Sequence, residues 1–167
     1  MRLGILSDTH DQLARTRLAV QLLKDHGADV LIHCGDLAGP EIVKACAVLP
    51  CYFVFGNHDA DRVPELRRAA VETGAVCLEW GGEILLAGKR VAVTHGHMHT
   101  DVRRLLAAGP DYLFSGHSHI PTDRYEDQTR RINPGALHDT DSFTVALLDL
   151  VSEGLKFLPV QAEDRVS

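Results

Sequence analysis

Leu3-Gly4-Ile5-Leu6-Ser7-Asp8-Thr9-His10 is a short apolar run that ends in a carboxylate and an imidazole, and the same grammar returns four more times in the chain. Val30-Leu31-Ile32 precedes Asp36, Tyr52-Phe53-Val54-Phe55 precedes Asn57-His58-Asp59, Val91-Ala92-Val93 precedes His95 and His97, and Tyr112-Leu113-Phe114 precedes His117 and His119. A short continuous apolar run bounded by turn signals reads as a buried strand. Ligands of an open α/β sheet gather beyond the carboxyl ends of its strands. One Asp or His after one strand is usually a helix cap or a turn residue. Five such ends together predict one rim of metal-type side chains, and hence a polynuclear metal site.

Working outward, the segments between the runs carry helical signals as far as Thr73. Helices are expected over Gln12 to Asp25, closed by His26-Gly27 with Gly27 as the residue past the cap, over Pro40 to Val48, and over Pro64 to Thr73 ended by Gly74. This is repeated βαβ grammar. After Val76 it changes: Glu83 to Leu86 and Arg90 to Val93 predict a hairpin across Ala87-Gly88-Lys89 at a second sheet edge, with Gly81-Gly82 as a turn. Thr100 to Ala108 predicts one more helix, stopped by Gly109-Pro110. Short strands are then expected at 122–126, 129–133, Phe143 to Asp149 and Leu155 to Val160, as an antiparallel meander that closes the core, with a frayed end near Gln161 to Ser167.

With 167 residues, one domain over 1–167 is expected to bury enough surface for a core without metal staples, so the metal is functional rather than structural. A net charge of −6 and the lack of a Lys/Arg tract oppose general nucleic-acid binding while leaving a small phosphorylated substrate open. The four cysteines (Cys34, Cys46, Cys51, Cys77) have no CxxC spacing and sit among apolar residues, which fits reduced thiols and a cytoplasmic location. No apolar run reaches the roughly 18 residues of a membrane span, and the stretch before Asp8 is too short for a signal segment.

The chemistry of the rim follows from its residue types. Asp8-x-His10 can turn two ligands to one side, and Gly35 lets Asp36 be presented on a sharp turn where its carboxylate can bridge two cations. Asn57 offers a neutral oxygen. With Asp8 and Asp36 as the anionic ligands of two divalent ions and one bridging hydroxide, about one positive charge remains, suited to a monoanionic phosphodiester. Histidine nitrogens and oxygens without thiolate favour Mn, Fe, Zn, Ni or Co over Mg or Ca, with Mn²⁺ the first choice.

Asp8-x-His10, Gly35-Asp36, Gly56-Asn57-His58-Asp59, Thr94-His95-Gly96-His97 and Gly116-His117-Ser118-His119 stand in an order that resembles the signature of the calcineurin-like metallophosphoesterases. The compact length and Asn133-Pro134-Gly135 are similar to the small bacterial and archaeal phosphodiesterase group. That resemblance implies a four-layer α/β/β/α sandwich of two mixed sheets. It implies a first metal held by Asp8, His10, Asp36 and His119 and a second by Asp36, Asn57, His95 and His117. It also implies a proton donor at His58, oriented by Asp59, and a place near the metals or the phosphate for His97. The implied activity is two-metal hydrolysis of a small phosphodiester, with monoester hydrolysis as a close variant and possible self-association. Gly35-Asp36-Leu37-Ala38-Gly39-Pro40 lacks the acidic-arginine pair of the protein phosphatases, and Asp11 stands where many relatives carry a small residue.

Two other classes compete. An interaction module on the same scaffold is opposed by His58 and the full ligand set, and a repair nuclease by the acidic balance and short chain. Elsewhere, His33 reads as a satisfied core histidine and His26 as a helix C-terminal cation; His99 and His138 carry no assigned task. Arg67-Arg68, Arg103-Arg104 and Arg130-Arg131 read as solvated faces rather than phosphate clamps.

Overall fold

The computed structural model describes residues 1–161; the frayed end expected beyond Gln161 lies outside the described residues. Each apolar run becomes a strand because its alternate side chains enter two different apolar layers. In β1 (Arg2–Leu6) Leu3 and Ile5 enter one core and Leu6 the other, and in β2 (Val30–His33) Val30 and Ile32 oppose Leu31. Burial of both faces is why these runs show no alternation of polarity.

β1 and β2 pair in parallel with β3 (Cys51–Phe53) and β4 (Val76–Cys77). Right-handed crossovers of this kind lay helices along the sheet. Here α1 (Leu13–Asp25), α2 (Pro40–Cys46) and α3 (Val63–Thr73) bury Leu23, Ile42 and Leu66 in the core they share with Phe53 and Phe55. On the other edge of β1 run β10 (Thr144–Asp149) and β11 (Leu155–Pro159), both antiparallel to their neighbours, which gives the order β11-β10-β1-β2-β3-β4.

The second sheet has the order β5-β6-β7-β9-β8, with β5 (Gly81–Leu86), β6 (Lys89–Thr94), β7 (Tyr112–Phe114), β8 (Thr122–Glu126) and β9 (Thr129–Asn133). Its Val91, Val93, Tyr112, Phe114 and Ile132 meet Leu3, Ile5, Ile32 and Leu148 of the first sheet, and α4 (His99–Ala107) sets Leu105 on the outward Ala92 and Leu113. The layers are therefore helix, sheet, sheet, helix, with two mixed sheets, as the family resemblance implies. Among the described residues no helix is long and apolar enough to cross a membrane.

Three expectations are corrected. Gly81 and Gly82 open β5, opposite Thr94 and Val93, and the turn is the two-residue Ala87-Gly88, both at positive φ as a tight hairpin requires. The tail is no single meander: β9 pairs in parallel with β7 in the second sheet, whereas β10 returns to the first. Asn133-Pro134-Gly135 makes that transfer, with the Gly135 N–H donating to Asn133 Oδ1 at 2.9 Å. Finally α2 stops at Cys46, because Leu49 donates back to the Cys46 carbonyl and Val48 is 55% exposed, with no core contact to extend the helix.

The contact between the sheets is expected to dominate stability. Phe114→Ala, which empties a fully buried site, should cost about 3–5 kcal/mol, whereas Val151→Ala, at a residue 82% exposed, should stay within about 0.5 kcal/mol. Urea unfolding midpoints compare the two; equal losses would contradict this account of the core.

Candidate metal centre

The loops that leave β1, β2 and β7 carry most of the rim, and their backbone is unusual. Asp8, His10, Asp36, His117 and His119 all have positive φ, between 43° and 69°. For residues other than glycine this conformation costs on the order of 1 kcal/mol or more each and persists only where the surroundings enforce it. The enforcement is visible as a ladder between loops: the N–H groups of Asp8, His10 and Asp11 donate to the carbonyls of Gly35, Asp36 and Leu37 at 2.9–3.0 Å. Two glycines permit the close approach. A Cβ on Gly56 would collide with the Asp36 carboxylate, and one on Gly116 with the Ser7 hydroxyl and the Asp8 carboxylate.

Each buried carboxylate commits one oxygen to the protein and aims the other at the centre. Asp8 Oδ2 accepts from the Ser7 hydroxyl at 2.6 Å and the His117 N–H at 3.1 Å, while Asp8 Oδ1 has no hydrogen-bond partner. Asp36 Oδ1 accepts the His58 N–H at 2.9 Å, and Asp36 Oδ2 lies 3.2 Å from His95 Nε2 and 3.4 Å from His10 Nε2. Burial alone would raise the Asp36 carboxyl, but His10, His95 and the His58 N–H hold it well below the usual carboxylate range. It is ionised at neutral pH.

The histidines are turned in a complementary way. His95 Nδ1 donates to the Cys34 carbonyl at 2.8 Å and His119 Nδ1 to the Asp139 carbonyl at 3.0 Å. A backbone acceptor on one ring nitrogen fixes the tautomer and leaves Nε2 as a lone pair. Those lone pairs face carboxylate oxygens: His119 Nε2 is 3.2 Å and His95 Nε2 3.8 Å from Asp8 Oδ1. Nε2 of both His10 and His95 is buried without a hydrogen-bond partner. Lone pairs turned on anions inside a protein are repulsive unless a cation lies between them. The nearby carboxylates accordingly raise the pKa of His10, through its contact with Asp36, and that of His95 against the opposing effect of burial. Asp8, His10 and His119, then Asp8, Asp36 and His95, and also His10, Asp36 and His58, each form a cluster of ligand atoms close enough for one ion. The donor set therefore fits divalent metal.

The remaining predicted residues are distributed unevenly. The His117 ring is 5.2 Å from that of His95 by centroids, and burial together with the charge of His95 pushes His117 down, toward the neutral form that a ligand requires. The Asn57 amide lies 3.3 Å from His58 Nδ1. His97 stands 5.4 Å from His95 and 6.2 Å from His117 by ring centroids, with a buried, unpartnered Nδ1. His58, with a side chain 59% exposed, places Nδ1 3.1 Å from Asp36 Oδ2.

Asp59 was expected to orient His58, and its contacts lie elsewhere. Its buried carboxylate accepts from the N–H groups of Leu37, Ala38 and Gly56 at 2.7–3.2 Å, tying the loop after β2 to the loop after β3; Asp36 holds His58 instead. Asp11 is exposed, with its carboxylate against Gly39. Sequence reasoning missed His138, whose ring packs 4.8 Å from that of His10, and Trp80, whose ring stands 6.1 Å from His97. Neither lies next to a motif; only the Asn133-Pro134-Gly135 turn, which carries the chain back to the site, hinted at the former. Arg130 and Arg131 leave the solvated-face reading as well, since their side chains are largely buried and pair with Asp123 and Glu126.

His33 is satisfied as expected: Nδ1 accepts the Gly35 N–H at 3.2 Å, Nε2 donates to the Thr9 hydroxyl at 3.0 Å, and that hydroxyl donates to the Asp36 carbonyl at 3.3 Å.

Comparison with known proteins identifies the family. The profile of the calcineurin-like phosphoesterase superfamily domain matches residues 1–153. The chain is 26% identical over 160 residues to phosphodiesterase MJ0936 of Methanocaldococcus jannaschii, covering 89% of this chain and 93% of that protein. It superposes on the solved structure of an archaeal phosphodiesterase with a TM-score of 0.86 at 25% identity, covering 95% and 99% of the two chains. It shares its fold with the phosphoesterase YfcE from E. coli, at a TM-score of 0.68 and 19% identity over 96% and 100%. The chain belongs to the calcineurin-like phosphoesterase superfamily, a family of phosphoric ester hydrolases that implies divalent metal ions.

Burial drives the pKa of His33 from 6.5 down to about 3. The unfolded chain therefore takes up a proton that the native state refuses as pH falls below 6.5, and this contribution to stability is lost from there down to about 3. In metal-free protein, His33→Gln should flatten the slope of unfolding free energy against pH by up to about 1.4 kcal/mol per unit in that window. Parallel slopes for parent and variant in urea titrations would refute the assignment.

Proposed function

We propose that this chain is a phosphodiesterase that hydrolyses small phosphate esters at a two-metal centre. Asp8, His10, Asp36 and His119 would hold the first ion; Asp36, Asn57, His95 and His117 would hold the second. The observation that carries the reading is the set of unsatisfied atoms: Asp8 Oδ1 and the Nε2 atoms of His10 and His95, buried and facing one another around Asp36 Oδ2. The naming of the relatives as phosphodiesterases supports the diester over the monoester. When bound, two divalent ions, Mn²⁺ first among the candidates, supply an acidified water as nucleophile and a counter-charge for the phosphoryl oxygens.

The chain's own residues do the rest. Asp36 fixes the His58 ring through Nδ1, leaving Nε2 as the position from which a proton passes to the departing oxygen. His97, which burial and its neighbours His95 and His117 keep neutral, is placed to donate one hydrogen bond to a phosphoryl oxygen. Asp59 contributes rigidity rather than chemistry, since its three N–H donors hold the two loops that present Asp36 and Asn57. A small diester as substrate, without general nucleic-acid binding, suits the net charge of −6, and the four free cysteines suit a cytoplasmic setting. A bare scaffold role is disfavoured because it gives no reason for strained loops that gather Asp8, His10, Asp36, His95 and His119.

Substitutions separate these roles. Loss of an outer contact of a metal site typically costs ten- to a hundredfold in affinity or activity, so Asp36→Ala, which removes the shared ligand, should lower Mn²⁺-dependent hydrolysis of bis-p-nitrophenyl phosphate by more than about a hundredfold with the melting transition retained. Unchanged turnover would sink the bridging role. His58→Ala should cost about 10²-fold or more on diesters with poor leaving groups and much less on nitrophenyl esters; an equal loss on both removes the proton-donor role.

A further inference from the structure

On the side of the centre bordered by Asn57 and His97 lies an open cleft of about 460 Å³, whose other walls are Ala60, Trp80, Met98 and Asp101. Its composition is unusual for surface: Trp80 is 37% and Met98 47% exposed, and they lie together. Large apolar side chains gathered in a cleft mark a binding site more often than scattered ones do. The indole is also held in place. Its ring stands edge-on to Phe55 at 5.3 Å and to His97 at 6.1 Å, and the Trp80 carbonyl accepts the Thr94 hydroxyl at 3.2 Å. Thr94 precedes His95, so the platform and the centre share a backbone anchor. A rigid aromatic face stacks on a flat ring at little entropic cost. The Asp101 carboxylate at the rim is 3.6 Å from the Arg104 guanidinium, so the cleft is not strongly anionic and would not repel a phosphate-bearing ligand.

Resting on the proposed phosphodiesterase reading, we propose that this cleft is the subsite for one ester substituent of the substrate, and that the substituent is a flat aromatic group, as in an aryl or nucleoside phosphoester. The shared walls Asn57 and His97 put the ring next to the phosphorus position, and Met98 supplies a polarisable thioether beside it. Trp80 then determines specificity by stacking and takes no part in bond breaking.

Phenylphosphonate and methylphosphonate, as competitive inhibitors of Mn²⁺-dependent bis-p-nitrophenyl phosphate hydrolysis, isolate the ring. Stacking of the size seen between bases and aromatic side chains, about 1.4 kcal/mol, corresponds to a tenfold ratio. The parent should bind phenylphosphonate about tenfold more tightly than methylphosphonate. Trp80→Ala should bring that ratio near one with methylphosphonate affinity retained, and Trp80→Phe should restore most of it. The same ratio in parent and Trp80→Ala, or no preference in the parent, overturns the subsite. So does a change of oligomeric state in Trp80→Ala with the ratio intact, which would make the patch an interface between copies. Loss of the proposed activity itself would show differently: the parent would hydrolyse no diester with any metal, whereas failure of the subsite alone leaves turnover and methylphosphonate inhibition in place.

Discussion

The structure is organised around a repulsion. Asp8 and Asp36 each turn one carboxylate oxygen inward, and His10, His95 and His119 turn Nε2 atoms toward the same small volume. The Nδ1 protons of His95 and His119 are directed away from that volume, to the Cys34 and Asp139 carbonyls. The backbone spends conformational strain to reach this arrangement, at positive φ in five of the seven proposed ligands. Strain of that kind persists where a larger favourable interaction depends on it, and a divalent cation supplies one. The loop ladder from Asp8 to Leu37 and the Asp59 clamp keep the site assembled beforehand, so that ion binding does not have to bear the cost of ordering the loops.

The two-sheet architecture explains why residues more than a hundred positions apart can converge. β1, β2 and β3 of one sheet and β6 and β7 of the other end at the same rim, and apolar side chains such as Ile5, Ile32, Val93 and Phe114 fill the space between them. Hydrogen bonds close the seam: the His117 N–H donates to Asp8 Oδ2 at 3.1 Å, and His95 Nδ1 to the Cys34 carbonyl at 2.8 Å. The Gly116 position faces Ser7 and Asp8 across that seam with no room for a side chain. Packing of the core and spacing of the ligands are in this sense one constraint, since a shift of one sheet against the other moves His95, His117 and His119 relative to Asp8, His10 and Asp36.

Much of this was legible in the sequence. Continuous apolar runs ending in Asp, Asn or His predicted the parallel strands and the rim, because burial on both faces and ligation at the carboxyl ends leave separate marks on residue order. Other features leave no such mark. Gly81-Gly82 looked like a turn because glycine is rare in strands, yet pairing with Thr94 and Val93 overrides that preference. The split of the tail between sheets depends on which edge each strand finds, and alternation within β9 and β10 is the same in either case. Asp59 follows His58 directly, which suggested a partnership, but a 3₁₀ helix over Asn57–Arg62 carries the two side chains to different surroundings. His138 and Trp80 sit on segments whose path to the site is set by tertiary packing alone.

The surroundings of the centre are asymmetric, and that asymmetry bears on what it acts upon. Beyond Asn57 and His97 the walls are Trp80 and Met98, apolar and exposed. Beyond His117 a cavity of about 280 Å³ is lined by Ser118, Asn133, Arg124 and Arg131. Arg124 and Arg131 face one another across β8 and β9, a placement that costs energy for like charges; Glu126, on the Arg131 guanidinium at 2.6 Å, offsets one of them. On the proposed reading, a phosphoester would lie between a flat apolar wall and a cationic polar one, so discrimination among esters would fall to side chains outside the proposed ligand set. On that reading, turnover would rest on the strained loops between the two sheets, and selectivity on Trp80, Met98 and the β8–β9 hairpin, none of which is among the proposed ligands.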